Sequence, residues 1–358
     1  MFKLANINRL IILIIAVAFR YVALFYSNTY LNYLLIIVLF SLTILNILKV
    51  KLPKDKFFIM IVLLLLSVII FIVYKEDNLF IYYVAALAFM NDTDDKVIRK
   101  FLVISIFCFI LVLVAGKVGI VKVMEGNRYL DGEIISRNSL GFGNINTPFI
   151  YYMGIMFGIY YLFANNKFKL LLLYIPTTLI AVYLFKETVC RTGFYMYLLF
   201  IISSLLYNKK INNKISNLVP HMFLIFTIFS FLLAIIWGTT IDNPINNLLS
   251  NRPYFSYFYI KNNMIFSLLG TDVVSYYVLD NYYLSLLVKS GVVGYFSYLY
   301  IFEKGGNYIK NDYRYSLIFI LTLIYGISEC GLYGNFIFLI FLKNIIRPSN
   351  GVKYYEEN

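Results

Sequence analysis

The chain has 358 residues, of which 61% are hydrophobic and 14% charged, and its mean hydropathy is +0.79. Soluble globular chains average about 45–50% apolar and about 25% charged residues, so an ordinary soluble domain is excluded. The 31 Lys+Arg against 18 Asp+Glu leave a net charge of +13. The basic residues sit in short segments between apolar runs, so a membrane accounts for them and nucleic acid is not an expected partner. Three cysteines without a pairing pattern exclude a disulfide-framed secreted domain and a zinc ribbon. The single histidine excludes most histidine-based metal sites.

A bilayer core of about 30 Å takes roughly 20 apolar residues per helix. In chain order, twelve segments are predicted as spans: Leu10–Ser27, Tyr30–Leu48, Phe57–Tyr74, Leu79–Met90, Phe101–Gly116, Pro148–Phe163, Leu170–Phe185, Thr192–Tyr207, Leu218–Trp237, Tyr282–Phe302, Tyr315–Glu329 and Leu332–Ile346. Leu79–Met90 is the weakest of them, being short enough to be tilted or re-entrant. With both termini cytoplasmic, 20 of the 31 Lys+Arg fall in inner loops or tails and nine outside, the asymmetry of the positive-inside rule. The expected architecture is an all-α polytopic bundle of about twelve helices, a single integral membrane domain over residues 1–358. The first span lacks a small-residue cleavage site and reads as a retained anchor.

Two loops are long and both are predicted outside, at about 117–147 and 238–281. Long loops in a tight bundle usually carry function. The second contains Asn251-Arg252-Pro253 and then Tyr254-Phe255-Ser256-Tyr257-Phe258-Tyr259, which reads as a helix at the membrane interface. It serves either as an anchor or as a groove admitting a lipid-linked substrate from the side. Four of the nine arginines, Arg128, Arg137, Arg191 and Arg252, lie outside, against five of 22 lysines. A planar guanidinium grips phosphate bidentately where an ammonium offers a point charge. These arginines are therefore either solvated loop charges or ligands for a diphosphate. Within spans, Arg20 can snorkel to the outer surface, whereas Lys289 lies two turns deep and is expected to face a water-filled cavity. His221 reads as an interfacial residue and Cys108 as packing. Cys190 and Cys330 both fall near the outer surface, where pairing is the minority reading.

In Arg137-Asn138-Ser139-Leu140-Gly141-Phe142-Gly143-Asn144-Ile145-Asn146-Thr147, Gly141 and Gly143 permit positive φ or a close backbone approach, and Pro148 suits a helix start. Asn144 and Asn146 either bind sugar hydroxyls at the outer mouth or simply build the turn. Asp280 is either an N-cap or a group acting on substrate.

Two stretches carry a family resemblance: the one just quoted, and Leu279-Asp280-Asn281-Tyr282-Tyr283-Leu284 followed by Gly291 and Gly294. With Cys190-Arg191-Thr192-Gly193 and Leu249-Ser250-Asn251-Arg252 between them, they resemble Wzy-type polysaccharide polymerases, relatives of the O-antigen ligases. The resemblance covers residues 128–295. It departs from the family at Ile145, where relatives often have proline, and at Asp280, which stands where ligases have histidine eleven residues ahead of the glycine. That departure favours a polymerase over a ligase.

The resemblance implies an enzyme of the bacterial plasma membrane. It would transfer a growing glycan from undecaprenyl diphosphate to a new lipid-linked oligosaccharide repeat at the outer face. No metal or cofactor is expected, and a flippase and a chain-length regulator are implied partners. It places Arg252 and Arg191 on the diphosphate and Asp280 on the acceptor, with Arg128, Arg137, Asn144, Asn146 and Asn281 as further substrate contacts. The rival expectation, from a different class, is a lipid-linked oligosaccharide flippase or transporter that makes and breaks no bond.

Overall fold

The structure, a computed structural model, describes residues 11–15, 17, 38, 41, 54–74, 78–90, 92–130, 133–241, 243–271, 273, 279–330 and 336–347. Of the first two expected spans, all but helical residues 11–15, 17, 38 and 41 lie outside the described residues, as does Arg20. The described chain is predominantly helical. Apolar, β-branched and aromatic runs of this length satisfy their backbone groups internally only as helices when water is absent.

In chain order the elements are α1 (Lys54–Tyr74), α2 (Asn78–Phe89), α3 (Asp94–Lys117), β1 (Glu125–Leu130), β2 (Glu133–Asn138), α4 (Thr147–Phe163), α5 (Lys167–Thr188), α6 (Arg191–Leu206), α7 (Lys209–Ile215), α8 (Met222–Trp237), α9 (Pro244–Leu248), α10 (Arg252–Lys261), α11 (Tyr282–Ile309), α12 (Tyr313–Gly326) and α13 (Ile337–Ile346). Short 3-10 turns at Val219–His221 and Met264–Phe266 precede α8 and follow α10. Among the described residues, four stretches are long and apolar enough to cross a membrane: Asp94–Lys117, Lys167–Thr188, Val219–Trp237 and Tyr282–Ile309. Helix α2 has 12 residues and so spans roughly 18 Å, short of a bilayer core. Its side chains from Leu79 to Met90 are all buried, the signature of a core helix.

The chain divides into two compact units, Met1–Lys56 with Ile81–Leu206 and Gly334–Asn358, and Phe57–Phe80 with Tyr207–Tyr333. In the first unit, α3 packs on α4, and α5 and α6 close around α4. Tyr152, Tyr197, Phe200 and Tyr160 form its aromatic centre. Hydroxyls in this apolar interior find partners: Tyr197 bonds Thr178 at 2.8 Å, and the neighbouring Tyr174 donates to Ser204 at 2.6 Å. The outward face of α5 exposes Leu171, Leu172, Ile175 and Leu179, where a protein surrounded by water would carry charge. Helix α13 buries every described side chain except Asn344. That includes Lys343, whose ammonium donates to Asp92 O at 2.7 Å and pairs with Asp94 at the start of α3.

The expected loop 117–147 contains an antiparallel hairpin, with Glu125 opposite Asn138 and Gly126 opposite Arg137. This strand pair departs from the purely helical expectation. The sequence between the strands is Asp131-Gly132, a strong hairpin signal.

In the second unit, α8 packs against α10 and α11, and α11 against α12. Helix α11 is broken at Gly291 (φ 64°, ψ −175°). The backbone of the second long loop closes the break: Thr271 N–H donates to Val288 O (2.7 Å), and Ser267 O and Leu268 O accept from Val292 and Val293 (3.0 and 3.3 Å). At the far end of the unit, Asn212 of the lysine-bearing α7 donates to Lys310 O at 2.9 Å, just past the end of α11. Lys209, Lys210, Lys214, Lys304 and Lys310 gather at that end, away from the end of α8, the start of α11 and the end of α12 described next.

Candidate functional site

The second long loop is organised by Asn246, which is fully buried. Its Nδ2 donates to Trp237 O at 2.7 Å, fixing the end of α8, and its Oδ1 accepts from Tyr254 N at 3.2 Å. Asn251 N–H returns to Asn246 O at 2.7 Å. Ser250 and Asn251 both have positive φ, 54° and 63°, conformations an L-residue keeps only when its surroundings dictate it. The chain is thereby turned so that Arg252 opens α10 with its side chain inward, 8% exposed. The aromatic stretch after it is helical, as expected, but packed against the unit: Tyr259 is fully buried and Tyr254, Phe255, Tyr257 and Phe258 are half-buried.

Arg252 meets two carboxylates. Its Nη2 donates to Glu329 Oε1 at 2.8 Å and lies 3.4 Å from Asp280 Oδ2. Glu329 is 4% exposed, whereas the Asp280 side chain keeps 34% of its surface open. Asp280 does not cap α11. Asn281 does, its Oδ1 accepting from Leu284 N at 3.1 Å while its Nδ2 donates to Ile327 O at 3.1 Å. Cys330 Sγ donates to Leu279 O at 2.9 Å. Segments 279–281 and 327–330 are thus tied together, and the tie holds Asp280 and Glu329 on either side of one guanidinium. The hydrogen bonds of Asn281, expected on substrate, serve this frame.

Burial pushes the Asp280 carboxyl above the usual carboxylate range, while Arg252 and then Lys289 pull it back. Lys289 is exposed on α11 and is the remaining cation acting on this cluster. Burial also pushes the Cys330 thiol up to about 12. Two carboxylates on one guanidinium leave Arg252 little charge to offer a third anion. A fixed carboxylate with one open face can accept a hydrogen bond or a proton from a hydroxyl.

The first unit holds the other expected site residues. Arg137 Nε donates to Thr188 O, the last carbonyl of α5, at 2.7 Å, and its Nη2 to Asn146 Oδ1 at 3.0 Å. A cation at a helix C-terminus is electrostatically favoured, so Arg137 ties the hairpin to the end of α5 and the start of α4. Asn144 Oδ1 accepts from Asn146 N at 3.0 Å. Both asparagines therefore build the turn, and Asn144 is exposed as well. Gly141 has φ 89°, and a Cβ there would stand 2.9 Å from Gly116 Cα, so it meets both reasons for glycine at once. Arg191 opens α6 three residues after Thr188, half-buried, and makes no ion pair among the described residues. The backbone of Arg128 lies opposite Ile135 in the hairpin, and its side chain lies outside the described residues.

The structure thus brings Asp280 and Arg252 together, and Arg137 with Asn146. Glu329, Asn246 and Lys343 were not singled out from the sequence. Glu329 closes an apolar run and reads there as the end of a span, although a carboxylate beside a cysteine at that boundary is itself a signal. The three cysteines are free thiols, and among the described residues no group of His, Cys, Asp and Glu is arranged to hold a metal ion. The chain matches no protein-family model, no curated protein and no solved structure.

Proposed function

We propose that this chain is a polymerase of undecaprenyl-diphosphate-linked oligosaccharide repeats, working at the outer face of a bacterial plasma membrane. It would cross that membrane about twelve times. The observation that carries the reading is the half-open Asp280 carboxylate, fixed by Arg252 at the end of the second unit where the long aromatic loop folds. In the transfer, a hydroxyl oxygen of the incoming repeat attacks the anomeric carbon of the growing glycan. The bond from that carbon to the diphosphate oxygen breaks, undecaprenyl diphosphate leaves with the bonding electrons, and the hydroxyl proton passes to Asp280. Deprotonation by a positioned carboxylate is a usual contribution to such a step, and cations stabilise the charge gathering on the leaving group. Because Arg252 is engaged by two carboxylates, its part is to hold Asp280. Lys289 is the cation left beside Asp280 in this unit for the diphosphate, and Arg191 is a further proposed contact to the lipid-linked substrate, carried by the family resemblance.

The flippase reading gains one observation, the interruption of α11, since discontinuous helices bind cargo in many transporters. Here three of the groups freed at the break, Val288 O and the N–H groups of Val292 and Val293, are bonded to residues 267–271, so those three are not offered to a cargo. One experiment separates the two readings. Cells lacking the chain are complemented with wild type or Asp280→Asn, and surface glycans are separated by size. Single repeats at the surface of the null and Asp280→Asn strains, with long chains restored by wild type, are expected. Repeats trapped on the inner leaflet of the null strain would make the protein a flippase.

A further inference from the structure

We infer that Glu329 is a positioning residue for the transfer: by holding the Arg252 guanidinium it fixes Asp280 without locking it in the ionised form. The inference rests on the polymerase reading above. Glu329 is 4% exposed, and its contact to Arg252 Nη2, at 2.8 Å, is the shorter of the two. A carboxylate that deep is stable as an anion only while its cation stays in place, so Glu329 and Arg252 form a standing pair. Asp280 stands 3.4 Å from the same Nη2 and keeps an open face, so it receives the weaker share of that positive charge. A carboxylate paired with an arginine alone is held well below its ordinary range and makes a poor base. With Glu329 absorbing most of the guanidinium's charge, Asp280 keeps both a fixed position and the basicity to take a proton. The link between the segments carrying the two acids, through Asn281 and Ile327 O at 3.1 Å, keeps this division of charge constant.

The test uses the purified full chain in proteoliposomes, with an undecaprenyl-diphosphate-linked repeat unit as substrate. Rates are taken against substrate concentration and pH for wild type, Glu329→Gln, Glu329→Asp, Arg252→Gln and the double variant Arg252→Gln/Glu329→Gln. In Glu329→Gln, Arg252 turns its charge on Asp280. The acid limb of the rate profile then moves to lower pH by roughly one unit, and kcat falls on the order of tenfold or more with KM within about twofold. Glu329→Asp keeps the charge and keeps the limb near its wild-type position. Since Glu329 acts through Arg252, the double variant shows the same acid limb as Arg252→Gln. If Glu329→Gln alone fails to accumulate, Glu329→Asp carries the test: it keeps the charge, so a limb moved to lower pH by about a unit in that variant overturns the inference. An unchanged kcat and acid limb in Glu329→Gln overturns the inference, and so does a double variant whose limb differs from that of Arg252→Gln. A wild-type protein that never elongates the repeat overturns the polymerase reading itself.

Discussion

A Cβ atom at Gly291 would stand 2.4 Å from the backbone nitrogen of Gly270. The broken helix and the loop that seals it are therefore in backbone-to-backbone contact, and Gly291 also has φ 64°. Gly291→Ala adds the cost of an unfavourable backbone conformation, about 1–3 kcal/mol, to a clash that only a shift of the loop relieves. The variant is expected to lower the thermal midpoint in detergent by several degrees and to reduce activity, because residues 267–271 belong to the loop that carries Arg252. An unchanged midpoint would show that the loop does not seat on α11 in this way.

The Asp280 carboxyl sits above its ordinary range because burial outweighs the pull of Arg252 and Lys289. A group acting as base works in its ionised form, so the rate falls as pH drops through its pKa. Arg252→Gln removes a cation that lowers that pKa, so the acid limb of activity moves to higher pH. This is opposite to the shift expected for Glu329→Gln. A pH series of glycan elongation at saturating substrate checks the sign.

Arg137 and Arg191 look alike in the sequence and differ in the fold. Arg137→Ala removes charged hydrogen bonds to Thr188 O and Asn146 and is expected to cost about 2 kcal/mol of stability. Arg191→Ala breaks no ion pair among the described residues and is expected to leave stability within about 0.5 kcal/mol while reducing turnover at least tenfold. Thermal unfolding in detergent beside a glycan-length assay separates the two. Equal effects of both variants on stability would refute the distinction.

Lys343 is fully buried against Asp92 and Asp94. Lys343→Met takes the buried ammonium away from the Asp94 carboxylate, at 12% exposure, and is expected to destabilise by about 3–5 kcal/mol. Adding Asp94→Asn removes the charge that Lys343 offset and is expected to restore part of the loss. Measured stabilities of the single and double variants give the coupling directly.

Helices were legible where the physical signal is long and local. Apolar runs of span length became α1, α3, α4, α5, α6 and α8, and Gly141 marks a close approach, whereas Gly291 breaks a stretch that reads in the sequence as one continuous span. Arg252 and Asp280 were legible because charge is scarce in such a chain and each remaining ion stands out. What escaped is pairing across sequence distance. The bond from Arg252 to Glu329 spans 77 residues, and that from Lys343 to Asp92 spans 251, and hydropathy carries no record of either. Asp280 and Asn281 show the limit at single-residue scale. Both are good N-caps by chemistry, and only the backbone at Asn281 settles which of them bonds Leu284 N–H.

The most direct measurement supplies the purified chain, in proteoliposomes, with undecaprenyl-diphosphate-linked repeat units and no other protein. Glycan length and free undecaprenyl diphosphate are followed together. The account predicts chains of two and more repeats, one undecaprenyl diphosphate released per linkage formed, and loss of both in Asp280→Asn. Repeat units that cross the bilayer and stay single, with no undecaprenyl diphosphate released, would contradict it.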